Sequence, residues 1–172
     1  GQYYYVTATD EAGCSRVEEI YIGQPSQIVI SINSQSDATC FGALDGQVLL
    51  SATGGNGAPY SYLWPDNQNT NSRHDLAAGN YLVTVSDALS CSEIVSITIG
   101  QPSQITYNLT VVQPDCGQNN GSISVSNISG GSGAGYVVTW SHLGWSVDSV
   151  GVSISNLEAG SYFLNITDNT SC

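Results

Sequence analysis

The chain alternates short apolar stretches with turn-forming ones, and nowhere does it show the three-to-four spacing of an amphipathic helix. SISVSNI (Ser122–Ile128) and VSISNL (Val152–Leu157) alternate strictly, the period of a strand with one buried face. YLVTV (Tyr81–Val85) and IVSITI (Ile94–Ile99) are β-branched and aromatic runs bounded by turn formers. GGNGAPY (Gly54–Tyr60) and GGSGAGY (Gly130–Tyr136) separate consecutive strands and cannot be helical. The pattern predicts strands over Ile28–Asn33, Gln47–Thr53, Tyr60–Trp64, near Asn71–Leu76, and over Tyr81–Ser86 and Ile94–Ile99. Six or seven such strands in roughly 75 residues fit a small antiparallel sandwich. The expected fold class is all-β: tandem immunoglobulin-like antiparallel β-sandwich repeats.

The tandem organisation is written in the letters. GQPSQI occurs at Gly23–Ile28 and again at Gly100–Ile105, 77 positions on. YYVTATDEAGC (Tyr4–Cys14) falls on YLVTVSDALSC (Tyr81–Cys91) and on YFLNITDNTSC (Tyr162–Cys172). LAAGNY (Leu76–Tyr81) matches LEAGSY (Leu157–Tyr162), and YSYLW (Tyr60–Trp64) matches YVVTW (Tyr136–Trp140). CFGALDGQV (Cys40–Val48) matches CGQNNGSI (Cys116–Ile123) with one residue deleted. This self-similarity divides the chain into the C-terminal part of one repeat (residues 1–26), a complete sandwich (27–102) and a sandwich lacking its last strand (103–172). The opening GQYYYVTATD reads as the middle of a strand, so the chain is expected to be a window on a longer one. GQPSQI falls where one sandwich ends and the next begins; its glycine is expected to permit the exit geometry, and its proline withholds a donor so that neither sheet runs on.

Charge narrows the function. The net charge is −12 and the only cations are Arg16 and Arg73, so there is no electrostatic footprint for nucleic acid or for an anionic membrane. Charged residues make up 9% against 41% hydrophobic, which is not the composition of a disordered chain. Trp64, Trp140, Tyr81 and Tyr162 recur at matched positions and are read as core.

Five cysteines with no C-x-x-C pair point to disulfides and an oxidising, extracellular setting rather than zinc. Two connectivities respect the repeat. Pairing inside repeats gives Cys40–Cys91 and Cys116–Cys172 and leaves Cys14 to a partner outside the segment. Pairing across joints gives Cys14–Cys40 and Cys91–Cys116. The first is favoured, because each domain is then stapled before its neighbour exists, but sequence cannot settle connectivity. His74 and His142 lie in the variable stretch after each tryptophan with no nucleophile or paired carboxylate at a repeated spacing, so they are read as loop histidines and the chain as no enzyme. The recurring Asp10, Asp87 and Asp168, with Glu18, Glu19 or Glu93 in the following strand, raise calcium. No D-x-D-x-D-G run is present, and capping of a tight turn is the preferred role of each aspartate. No metal or cofactor is therefore assigned.

Taken together, Cys40, Gly42, Asp45 and Gly46, then Gly54, Gly55, Pro59, Tyr60, Tyr62 and Trp64, then Leu76, Ala78, Gly79, Tyr81, Val83–Val85, Asp87, Ala88 and Cys91, and finally Ile99, Gln101 and Pro102, resemble the SprB-type repeat. The resemblance covers nearly the whole chain, more loosely in the last copy, where GAGY lacks the proline. Such repeats fill very large surface adhesins of gliding Bacteroidota. The resemblance implies type IX secretion, display at the cell surface in association with the outer membrane, and a role in attachment and gliding motility. The implied partners are neighbouring repeats of the same chain, a surface polysaccharide or substratum, and the outer-membrane motility and secretion machinery reached through other parts of the protein. It also implies O-glycosylation at Ser149, within Asp148-Ser149-Val150. The last copy has five more residues between its tryptophan and L-x-A-G-x-Y than the copy before it, and these bring Trp145. Trp145 is a candidate glycan contact, although covering a hairpin is the preferred role. Two other readings stay open: a structural stalk or surface-layer spacer, and a carbohydrate-binding array attached to a secreted enzyme.

Overall fold

The computed structural model describes residues 1–142 and 149–172. Its strands are β1 (Gln2–Thr9), β2 (Ser15–Ile22), β3 (Ser26–Ser36), β4 (Gly46–Gly55), β5 (Ser61–Leu63), β6 (Ser72–Leu76), β7 (Gly79–Ser86), β8 (Ser92–Ile99), β9 (Ser103–Val112), β10 (Gly121–Gly131), β11 (Val137–His142), β12 (Ser149–Val150), β13 (Ser153–Leu157) and β14 (Tyr162–Thr167). No helix occurs among the described residues. The fold is all-β, in antiparallel sheets, as the alternation predicts, and each strand expected between Ile28 and Ile99 is present.

The sheets repeat with the sequence. β3–β4–β6 and β5–β7–β8 form one pair of three-stranded sheets, and β9–β10–β13 and β12–β11–β14 form another, with β1 and β2 a separate hairpin. Each pair has the strand order of an immunoglobulin-like sandwich, in which the first, second and fifth strands form one sheet and the third and sixth the other. In the last copy β14 takes the place of β7 but lies at the sheet edge, with no counterpart of β8 beside it among the described residues. β12 is an added edge strand on the far side of β11, supplied by the longer stretch after Trp140.

By compactness the chain falls into two units: Gly1–Asn33, Leu50–Asn71 and Tyr81–Ile97, and Ser34–Leu49, Ser72–Asn80 and Thr98–Cys172. In the first, Ile28, Leu50, Trp64, Val83, Val85 and Ile97 are buried. The Trp64 ring meets Tyr81 edge-on at 6.1 Å, and its indole N–H donates to Thr70 O at 2.7 Å. Such a bond lets a tryptophan be buried without stranding its one polar atom. The β1–β2 hairpin of this unit is exposed on both faces, Tyr3, Tyr5, Tyr21 and Ile22 included.

The second unit holds all of β9–β14. Val125 from β10 and Val138 and Trp140 from β11 are buried, with Ile123, Ile128, Ile154, Leu164 and Ile166 packed around them, so the core lies between two sheets. Alternation delivers these residues: positions two apart on each strand point the same way. Trp140 Nε1 donates to Gly151 O at 2.7 Å, matching the bond of Trp64. Tyr162 is half-buried, stacked on His142 at 4.9 Å, and its hydroxyl donates to Glu158 O at 3.1 Å. A tyrosine at the start of this strand bonded four residues upstream is the tyrosine corner of immunoglobulin-like sandwiches, and it accounts for L-x-A-G-x-Y as a turn between sheets. His142 therefore ends a strand rather than sitting in a loop, and His74 likewise lies in β6, bonded to Gln47 Oε1 at 3.1 Å.

Trp140 generates a test with two grades. Trp140→Ala is expected to cost about 3–5 kcal/mol, and Trp140→Phe, which strands only the Gly151 carbonyl, about 1–3 kcal/mol. Urea titration of each variant gives both values, and a negligible loss in Trp140→Phe would mean that the indole bond contributes nothing.

Candidate functional site

Each hairpin that ends in a cysteine is built around one aspartate. Asp87 Oδ1 accepts from the N–H groups of Leu89 (2.9 Å) and Cys91 (3.0 Å). Asp168 Oδ1 accepts from Thr170 N (2.9 Å), Thr170 Oγ1 (2.7 Å) and Cys172 N (3.1 Å). Asp10 Oδ1 accepts from Cys14 N at 2.9 Å. The turn itself needs a left-handed residue, supplied by Gly13 (φ 83°), Ser90 (φ 66°) and Ser171 (φ 65°). Turn capping is thus what the recurring aspartates do.

The second carboxylate oxygen reaches a different strand end. Asp87 Oδ2 accepts from Asn56 N (2.8 Å) and Asn56 Nδ2 (2.9 Å), and Asp168 Oδ2 from Ser132 N (2.7 Å). This explains the glycine pair before each of these residues. A side chain on Gly55 would strike Asp87 Oδ2, and one on Gly131 would strike Asp168 Oδ2. A side chain on Gly54 or Gly130 would run into the carbonyl of Gln27 or Gln104, at the start of the repeat's first strand. Tyr60 and Tyr136 close the same turn, each donating its hydroxyl at 2.7 Å to the carbonyl of the first glycine. Both aspartates are buried, 6% and 3% exposed, with N–H and O–H donors as partners. The Asn56 backbone N–H, with help from the Asn56 amide and the hairpin N–H groups, holds Asp87 down at about 2. The Thr170 hydroxyl and then the Ser132 N–H hold Asp168 well below the usual carboxylate range.

At the other end of each first strand is the cysteine loop. Asp45 bridges it in the complete repeat, accepting from the Thr39 hydroxyl and from Thr39 N at 3.0 Å, which holds its carboxyl below the usual carboxylate range. The last copy does the same with other letters: Asn120 accepts from Asp115 N at 2.8 Å and donates to Asp115 Oδ2 at 2.7 Å. GQPSQI is fastened to the first of these loops. Gly100 N donates to Asp37 Oδ1 at 2.8 Å, Ala38 N donates to Gly100 O at 3.0 Å, and Gly42 N donates to Gln101 Oε1 at 2.7 Å. Gly100 is not in the left-handed region; it is glycine because a Cβ would meet the Asp37 carboxylate at 2.8 Å. The exit geometry anticipated for this glycine is therefore a close approach instead.

The disulfide is Cys40–Cys172, with Cα atoms 5.4 Å apart, and it corrects the expected pairing. Neither Cys40–Cys91 nor Cys116–Cys172 forms, nor does either cross-joint pair; Cys14, Cys91 and Cys116 are exposed free thiols. The reason is the length of the first strand. Cys172 sits with Asp168 beside Gly131 and the start of β9, whereas Cys116 follows the end of β9. Ten extended residues separate those poles, about 33 Å at the usual rise, and a disulfide needs Cα atoms within about 7 Å. The hairpin cysteine of one copy instead reaches the loop cysteine of the copy before it. Cys172 Sγ lies 3.2 Å from Thr39 O, and Cys40, Phe41, Gln104, Ile105, Gly131 and Ile166 line a hollow of about 220 Å³ around the bond.

A second cleft, of about 360 Å³, opens beside β11 and is lined by Trp140, Ser141, Ser149, Ser153, Leu157 and Tyr162 among others. Ser149, the candidate glycosylation site, is half-buried in β12 opposite Trp140. The candidate glycan contact Trp145 lies outside the described residues, as does Asp148. Glu18 pairs with Arg16 at 2.5 Å, Glu19 accepts from the Tyr5 hydroxyl at 2.8 Å, and Glu93 accepts from Gln27 Nε2 at 3.1 Å. Among the described residues no cluster of three or more such side chains could hold a metal ion. Sequence reasoning missed Gln101 as a fastening residue and Asn56 as a carboxylate partner; the copied Gln in GQPSQI was the available signal for the first.

Two segments, residues 32–69 and 108–144, match the family model of the SprB repeat. No curated protein matches the chain.

The buried aspartates give a signed pH dependence. Because the folded form holds Asp87 near 2, its stabilisation is complete above the unfolded value of about 4 and is lost as pH falls from there towards 2. Asp87→Asn is expected to lower Tm at pH 7 and to flatten its fall between pH 4 and 2.5; an unchanged acid slope would assign the acid sensitivity elsewhere. Gly131→Ala combines a left-handed φ of 56° with the clash on Asp168, and should cost more than Gly133→Ala, which has a φ of 84° but open space. The latter should lose only about 1–2 kcal/mol.

Proposed function

We propose that this chain, which carries two SprB repeats, is a segment of a large extracellular adhesin that forms a cell-surface fibre used in attachment and gliding motility. SprB repeats occur in cell-surface proteins, which supports reading the chain as a segment of a large surface protein. The observation that carries the finer reading is the joint: consecutive copies are tied by a short linker, side-chain hydrogen bonds and a disulfide. A joint fastened in this way suits a chain that transmits force. Repetition supplies the other half of the mechanism, since many weak contacts along one fibre add through multivalency.

The role is mechanical, not catalytic. Two cations against fourteen acidic residues leave nucleic acid without a binding face. The partners in this reading are neighbouring repeats, a surface polysaccharide or the substratum, and the outer-membrane motility and secretion machinery reached through other parts of the protein. One observation favours a second reading, a carbohydrate-binding array: the serine-rich cleft lined by Trp140 and Tyr162.

Live-cell imaging of the source organism with a fluorescent antibody against residues 27–102 separates these. Labelled fibres travelling along the surface are expected. A static coat, or label shed into the medium, would overturn the motility reading and leave a spacer or a sugar-binding array.

A further inference from the structure

The Cys40–Cys172 bond joins the loop cysteine of one repeat to the hairpin cysteine of the next. The free cysteines occupy the same two kinds of place. Cys116 is a loop cysteine: it follows β9 as Cys40 follows β3, precedes a left-handed Gly117 (φ 70°) as Cys40 lies two residues before Gly42 (φ 76°), and sits in a loop bridged by Asp115 and Asn120. Cys91 and Cys14 are hairpin cysteines. Their N–H groups are bonded to Asp87 and Asp10 at 3.0 and 2.9 Å, as that of Cys172 is to Asp168 at 3.1 Å. All three are exposed.

We propose that these thiols are unfilled halves of the same staple. Cys116 takes the hairpin cysteine of a following repeat, and Cys91 and Cys14 each take the loop cysteine of the repeat before their own. Formation joins two sulfurs while two protons and two electrons pass to an oxidant of the disulfide class, which leaves as two thiols. The staple does not depend on what the fibre adheres to, so it stands apart from the adhesin reading.

The proposal gives the array an unusual connectivity. Every bond of this type crosses one joint, and successive bonds interlace instead of nesting. One covalent path runs along the chain from Cys14 to Cys40 and then through the bond to Cys172; the other arrives at Cys91 by a bond and runs along the chain to Cys116. At each joint one path crosses by a disulfide and the other by the polypeptide. The polypeptide stretches left in the load path are Cys14–Cys40 and Cys91–Cys116, and each consists of a last strand, GQPSQI and a first strand. The letter-for-letter copy of the joint then falls in the segment that bears tension. The next joint would differ in at least two details: Gln113 stands where Asp37 accepts from Gly100 N, and Pro114 stands where Ala38 donates to Gly100 O, so that the second bond has no donor there.

The test extends the full chain in register with a copy of Ser92–Pro102 and then a second copy of Ser103–Cys172. In the appended copy Thr170→Ser marks the hairpin peptide by mass, and Cys116→Ser removes its loop thiol. After refolding in a glutathione redox buffer, peptides are mapped without reduction. The expected result is Cys116 joined to the marked hairpin cysteine, with Cys40–Cys172 retained as proof of folding and Cys14 and Cys91 alkylated as thiols. Cys116 recovered as a thiol, or joined to Cys91 or Cys172, would overturn the proposal. Pulling the unextended chain by its termini reads the existing staple: with its ends 132 positions apart in sequence, the oxidised chain should be shorter at full extension by about 450 Å than the reduced one. Equal contour lengths would mean that the staple is not formed in solution.

Discussion

A buried carboxylate at the end of each sandwich sets the positions of most of what surrounds it. Asp87 and Asp168 accept from their own hairpin on one oxygen and from a distant loop on the other. An ionised carboxylate taken out of water must be met by donors, or it protonates. Backbone N–H groups of two loops meet that demand here. The hairpin cysteine is therefore fixed four residues beyond the aspartate, the glycine pair has to leave room for the second oxygen, and the tyrosine that follows closes the turn above it. Four letters that recur along the sequence are one physical arrangement.

That arrangement explains what was legible in the chain and what was not. Strand positions follow from alternation, which depends only on neighbours two residues apart, and so β4, β7, β8, β10 and β13 fall where the pattern puts them. The aspartate's role as a turn cap is equally local. The disulfide is not local. Five cysteines in a repeat look the same whether bonds close within a copy or between copies, because shifting the chain by one repeat leaves the letters unchanged. What breaks the tie is the distance along the first strand, and β3 at 11 residues is almost twice the length of the run Ile28–Asn33 read from hydrophobicity. Its last third, Asn33–Ser36, is exposed and polar, with no apolar signal to extend the strand.

The same length has a consequence for stability. Domains of about 75 residues bury only about 60% of their unfolded surface and are commonly stapled. A staple inside each copy would have to reach from pole to pole, which the sandwich geometry forbids. Moving the bond to the joint places both cysteines at adjoining ends, Cys40 in a loop already closed by Asp45 and Cys172 in a hairpin already closed by Asp168. Each half is held before the bond forms, so closing it orders little that is not ordered already. The entropy removed is instead that of the unfolded chain, where a loop of this span is worth about 5 kcal/mol in the chain-entropy account.

Gln101 shows how the joint is specified before any oxidation. Its side-chain oxygen accepts from Gly42 N, the residue two beyond Cys40, while Gly100 docks on Asp37 three residues before it. The loop is gripped on both sides of the cysteine by the linker that leads into the next repeat. A linker that merely spaced two domains would need a glycine for freedom and a proline to stop the sheet. This linker needs its glycine for contact and its glutamine for an acceptor, requirements that constrain identity rather than composition. Tolerance of composition lets spacer sequences drift, whereas contacts of the kind made by Gly100 and Gln101 constrain the letters at those two positions.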